Sequence, residues 1–105
     1  MKRKVTQAQI LLALHIGELA YSSVYEYKFL PDRDFRFDVY CEELRMGFEC
    51  SGGRWKKGHR SARDIESAYE KMNLAQLAGY RVIEFTNEQV LTGRAKAFLA
   101  EHLKG

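Results

Sequence analysis

Apolar residues recur early in the chain at the spacing of a helix. Ile10, Leu11, Leu14 and Ile16 follow Thr6, a good N-cap, and predict a helix from residue 6 to about 22. At Tyr25 the period changes to two. Tyr25, Tyr27 and Phe29 alternate with Glu26 and Lys28 before a turn at Pro31-Asp32. Phe35, Phe37 and Val39 alternate with Asp34, Arg36 and Asp38 in a second strand. Leu44, Met46 and Phe48 alternate with Arg45 and Glu49 in a third, Gly47 being the exception. The connection over residues 40–43 is short, so strands two and three should form an antiparallel hairpin. Ser51-Gly52-Gly53 closes the third strand, and a loop runs to about residue 61. A helix over residues 62–78 then carries the stripe Ile65, Ala68, Tyr69, Met72 and Ala75 and stops at Gly79. Residues 80–85 read as a short buried strand around Val82 and Ile83. Residues 88–103 read as a last helix with Val90, Leu91, Ala97, Phe98 and Leu99.

The resulting order, α-β-β-β-α-β-α, predicts one three-layer α/β domain over residues 1–105 with a mixed four-stranded sheet. A helical crossover leads to its fourth strand. With 46% hydrophobic and 12% aromatic residues the chain can build a core, which excludes wholesale disorder. The longest apolar run, residues 10–14, is too short to cross a bilayer, so no membrane partner is expected. Gln7, Gln9, His15 and Glu18 break up the apolar stretch behind the basic start, which argues against a secretory signal. Cys41 and Cys50 lack the spacing of a zinc or CxxC site and read as reduced thiols of a cytoplasmic protein. A net charge of +3 suits a nucleic-acid partner without requiring one; where the charges sit matters more.

Alternation also sorts the acids. Asp38, Glu49 and Glu26 each fall on the opposite parity from the apolar residues of their own strand. If the strands are neighbours, three carboxylates converge on one side of one sheet. Such acids raise one another's pKa unless a cation neutralises them, and Mg²⁺ prefers a few carboxylates plus water. Solvated surface acids paired with Arg36, Arg45 or Lys28 are the competing reading. Beyond the third strand lie Arg54, Lys56, Lys57, Arg60 and Arg63, with His59 and Trp55 and no acid among residues 54–63. An acidic site bordered by a cationic loop suits phosphodiester hydrolysis, because the metal activates water while the loop holds the polyanion. Trp55 either stacks on a base or anchors the loop. Lys71 shares a helix flank with Asp64, Ala68 and Ala75, so it can approach the sheet; Glu70 and Asn73 lie on the other flank.

At Glu26, Arg36-Phe37-Asp38, Glu49-Cys50-Ser51-Gly52-Gly53, His59, Glu70-Lys71 and Asn73, then Gly79-Tyr80-Arg81-Val82, the chain resembles a PD-(D/E)XK nuclease. More closely, it resembles small phage and bacterial endonucleases of that superfamily, and is similar to the very-short-patch-repair and virus-type replication-repair branches. The likeness spans about residues 25 to 90. It implies a restriction-endonuclease-like fold and a Mg²⁺-dependent DNA endonuclease, with Mn²⁺ as a substitute and branched or repair intermediates as candidate substrates. In that likeness Asp38 and Glu49 match the metal-binding acids and the Cys50 carbonyl a third ligand. Glu26 looks like the extra acid of related small endonucleases, with Glu18 as a competitor. The lysine of the E-x-K motif is replaced by Ser51, and Lys71 or Lys56 would have to supply it. Lys71 would then orient water or steady the transition state, and His59 would contact phosphate or protonate the leaving oxygen. Arg54, Trp55, Lys56, Lys57 and Arg60 would grip the DNA. The alternatives are a nuclease-fold DNA-binding protein without catalysis and a small interaction domain. A domain this small would cut both strands most easily as a homodimer.

Overall fold

The computed structural model describes residues 4–51 and 62–103. In chain order it has α1 (Gln7–Glu18), β1 (Val24–Lys28), β2 (Arg36–Cys41), β3 (Met46–Ser51), α2 (Ala62–Leu77), β4 (Arg81–Thr86), α3 (Asn87–Leu91) and α4 (Arg94–His102). The strands form one sheet in the order β1-β2-β3-β4. The first two pairings are antiparallel and the last is parallel, so the expected mixed sheet and crossover are both present.

Local signals place most element ends. Thr6 caps α1 through a box in which its hydroxyl accepts from the Gln9 N–H and its own N–H donates to Gln9 Oε1. The helix ends at Glu18 rather than near residue 22, because Ala20 takes a left-handed φ of 70°. Leu19 and Tyr21 still pack on the core, which explains why their apolar character extends the sequence pattern. At the end of α2, Tyr80 N–H donates to Ala75 O and Gly79 N–H to Gln76 O, with Gly79 at φ 91°. Gly93, at φ 86°, breaks the expected last helix into α3 and α4. Leu44 belongs to a turn of 3-10 helix, Glu42–Leu44, and not to the third strand.

Apolar side chains fill both faces of the sheet. On one, Leu12 and Ile16 of α1, Val90 of α3 and Leu99 of α4 meet Val39, Phe48 and Phe85. On the other, Phe29, Phe37 and Tyr40 form an aromatic cluster against Ala75 of α2. Tyr27 stacks on Tyr40 at 4.0 Å and Phe29 on Phe37 at 4.2 Å. Phe37 covers Gly47 so closely that a Cβ there would meet the ring at 2.4 Å, which explains the glycine within β3. Here the structure corrects the simple alternation. Phe37 and Val39, two residues apart, lie in different cores, so β2 turns over at Asp38. Tyr69, expected in the buried stripe of α2, is 40% exposed. Cys41 and Cys50 are buried and unbridged. Among the described residues no helix is long and apolar enough to cross a membrane.

Candidate active site

The register lines up acids across the sheet. Tyr25 pairs with Val39 and Tyr27 with Phe37, leaving Glu26 opposite Asp38. One step beyond the Val39–Phe48 pair, Asp38 faces Glu49, and Glu49 pairs with Glu84. Four carboxylates therefore occupy one row, one from each strand. Regular pairing lapses at this row on both sides of β2. Glu26 adopts a left-handed φ of 51° within β1, a conformation that costs a non-glycine residue energy.

Side chains replace the missing ladder. Asp38 N–H donates to Glu49 Oε2, and Cys50 N–H donates to Asp38 Oδ2, both at 2.9 Å. Each acid thus caps the backbone of the opposite strand, and the pair locks β2 to β3. Lys71 comes down from α2 and donates to Glu49 Oε1 at 2.5 Å. Both side chains of this ion pair are largely buried, 17% exposed for Lys71 and 16% for Glu49. Ala68, one turn before Lys71, and Ala75, one turn after, are small enough to let α2 lie close to the sheet. A cavity of about 250 Å³ opens here, walled by Asp38, Glu49, Cys50, Lys71 and Glu84. A second space continues past Lys71 and Asp38 toward Glu26, Arg36 and Asp64.

Burial and mutual repulsion set the charge of this site. Glu49 is pushed up to about 7, first by burial and then by the Asp38 charge, with Lys71 pulling the other way. Asp38 is also raised, again chiefly by burial, while the Cys50 N–H and Lys71 oppose the shift. Burial and the neighbouring carboxylates push the Cys50 thiol up to about 12, so it stays protonated and unreactive.

The expected residues can now be located. Asp38, Glu49, Cys50 and Lys71 come together. Glu26 lies on the same row, with its carboxylate accepting from Gln9 Nε2 at 3.0 Å. Glu18 is elsewhere on α1, paired with Lys96. Asp64 shares the Lys71 flank as anticipated, and Glu70, on the other, pairs with Arg33. Arg36 binds Asp34 and the Glu26 carbonyl and pairs with neither central acid. His59, Arg54, Trp55, Lys56, Lys57 and Arg60 lie outside the described residues. Two participants were not anticipated. Parity alone would have put Glu84 on the face of Val82, but only the parallel register puts it beside Glu49. In sequence Gln9 reads only as a polar residue that interrupts the apolar stretch.

Among the described residues no group of three or more His, Cys, Asp or Glu side chains is arranged to hold a metal ion. The close pair is Asp38 with Glu49, and two carboxylates with the remaining ligands from water are a donor set that suits Mg²⁺. Burial raises Glu49 first and the Asp38 charge second, and a cation placed between the two carboxylates would offset the second of these. No protein-family model, curated protein or solved structure matches the chain.

Proposed function

We propose that this protein is a Mg²⁺-dependent DNA endonuclease with a restriction-endonuclease-like fold of the PD-(D/E)XK kind. One observation carries the reading: Asp38 and Glu49 interlock across two strands, with the Lys71 ammonium on Glu49. A structural ion pair needs one acid for one lysine. Asp38 adds a second buried carboxylate, which together with burial raises its partner, a cost that a cation site would relieve.

In this reading Asp38 and Glu49 hold the cation, the Cys50 carbonyl completes the protein ligands, and Glu26 supports them from the next strand. A bound Mg²⁺ or Mn²⁺ lowers the pKa of water and neutralises charge that develops on the phosphoryl group. Lys71 takes over the part of the lysine replaced by Ser51: it orients the attacking water or donates to the developing oxyanion. His59 contacts phosphate or protonates the leaving oxygen, and Arg54, Trp55, Lys56, Lys57 and Arg60 grip the nucleic acid. A homodimer would bring two such sites to the two strands of a duplex or junction.

Labelled linear, flapped and branched DNAs incubated with Mg²⁺, Mn²⁺ or EDTA test the proposal, with Asp38→Ala alongside. Cleavage should require the cation and vanish in the variant while its melting curve stays cooperative. DNA that is shifted on a gel but never cut would point instead to a binding protein without catalysis. Absence of both binding and cutting would dispose of both readings.

A further inference from the structure

Gln9 is a buried amide side chain, at 5% exposure. A buried carboxamide is tolerated when its donors and acceptor are used. Its Oε1 accepts from Thr6 N–H at 2.7 Å, closing the α1 capping box. Its Nε2 donates to Glu26 Oε2 at 3.0 Å. The cap needs an acceptor at position 9 and nothing else; glutamate would serve it as well and would suit the positive end of the helix better. What glutamine adds is the NH₂ group, and that group faces the acids.

The same chain holds a control. Thr86 and Gln89 build an equal capping box on α3, with both of its bonds exposed. The two boxes share backbone geometry and differ in what the amide meets. Glu26 is also held from its other end, by Arg36 Nη1 on its carbonyl at 3.2 Å, at the residue with the left-handed φ of 51°. Glu26 is thus tethered through both backbone and side chain in a backbone conformation that costs energy.

We propose that Gln9 is a positioning residue for the acid row: its buried amide fixes the carboxylate of Glu26 opposite Asp38, and through it the cation that the row would hold. This rests on the nuclease reading above. A carboxylate at position 9 would keep the helix cap but set a third negative oxygen pair against the acids, displacing them.

The test compares wild type, Gln9→Glu and Gln89→Glu by calorimetric titration with Mn²⁺ alone, by thermal melting, and by cleavage of labelled DNA. Groups that orient metal ligands typically change affinity about 10–100-fold when replaced. Q9E should weaken Mn²⁺ binding by that factor and slow cleavage with it, whereas Q89E should match wild type in both. If wild type binds Mn²⁺ and cuts DNA while Q9E equals Q89E, the positioning role is overturned and the nuclease reading stands. If wild type binds no Mn²⁺, the nuclease reading falls and takes this role with it. Should Q9E fail to fold, the double variant Q9E/E26Q decides. It exchanges amide and carboxylate at unchanged net charge, so recovered folding supports the contact, and a swap as unstable as Q9E refutes it.

Discussion

Replacing Glu49 by glutamine should make the protein more stable at pH 8, against the usual outcome for a core substitution. Burial and the Asp38 charge raise this carboxyl from 4.5 to about 7 despite its bond to Lys71. Between those two values the folded chain keeps a proton that the unfolded chain has released. Stability therefore falls as pH rises through the window, and the whole penalty is present above pH 7. A shift of this size corresponds to on the order of 3 kcal/mol. Glutamine stands in for the neutral acid at every pH and escapes the penalty. The bonds that favour the charged form, from Lys71 and the Asp38 N–H, are already inside the raised value. For a domain of this size the gain converts to roughly 10–20 °C in melting temperature. The assay is thermal or urea unfolding of both proteins in EDTA at pH 5 and pH 8. The advantage of Glu49→Gln should be large at pH 8, shrink toward pH 5, and narrow at pH 8 when Mg²⁺ is added to wild type. Wild type at least as stable as the variant at pH 8 in EDTA would refute the reasoning.

Lys71→Met removes the cation that holds Glu49 down and should cost up to about 3–5 kcal/mol at pH 8. The loss should be much smaller at pH 5, where Glu49 is protonated; equal losses in two urea titrations would show that Lys71 acts through packing alone. Gly47→Ala sets a methyl carbon 2.4 Å from the Phe37 ring, which is fully buried. Overpacking of this kind costs about 1–3 kcal/mol, so calorimetry should show a melting temperature several degrees lower. An unchanged melting temperature would mean that the ring is not seated over β3.

The elements were legible because each carries a local signal. Thr6 before an apolar period, Gly79 after one, and alternation on either side of a short connection placed α1, α2 and the β2–β3 hairpin. Faces were harder to read. Alternation assigns a face only while the strand stays regular, and β2 turns over at Asp38, sending Phe37 to the aromatic cluster and Val39 to the other core. Asp38 and Glu49 were found because each lies where a strand departs from its apolar residues, and Lys71 because helical spacing put it on the Ala68–Ala75 flank. Glu84 was missed because the register between parallel strands is set by the crossover, which no local spacing encodes. Gln9 was missed because a capping box looks the same in sequence whether its amide faces water or a carboxylate.

The arrangement of charges carries a pH-dependent cost. Above about pH 7, where Glu49 ionises, two buried acids face one lysine, and the surplus negative charge lowers stability; a bound cation would compensate it.

The most direct test is an anomalous diffraction measurement on crystals of the protein soaked in Mn²⁺. A single strong peak is expected between the Asp38 and Glu49 carboxylates, absent from Asp38→Ala crystals treated in the same way. A density map with no peak there, or with Mn²⁺ bound only at surface acids, would contradict the account.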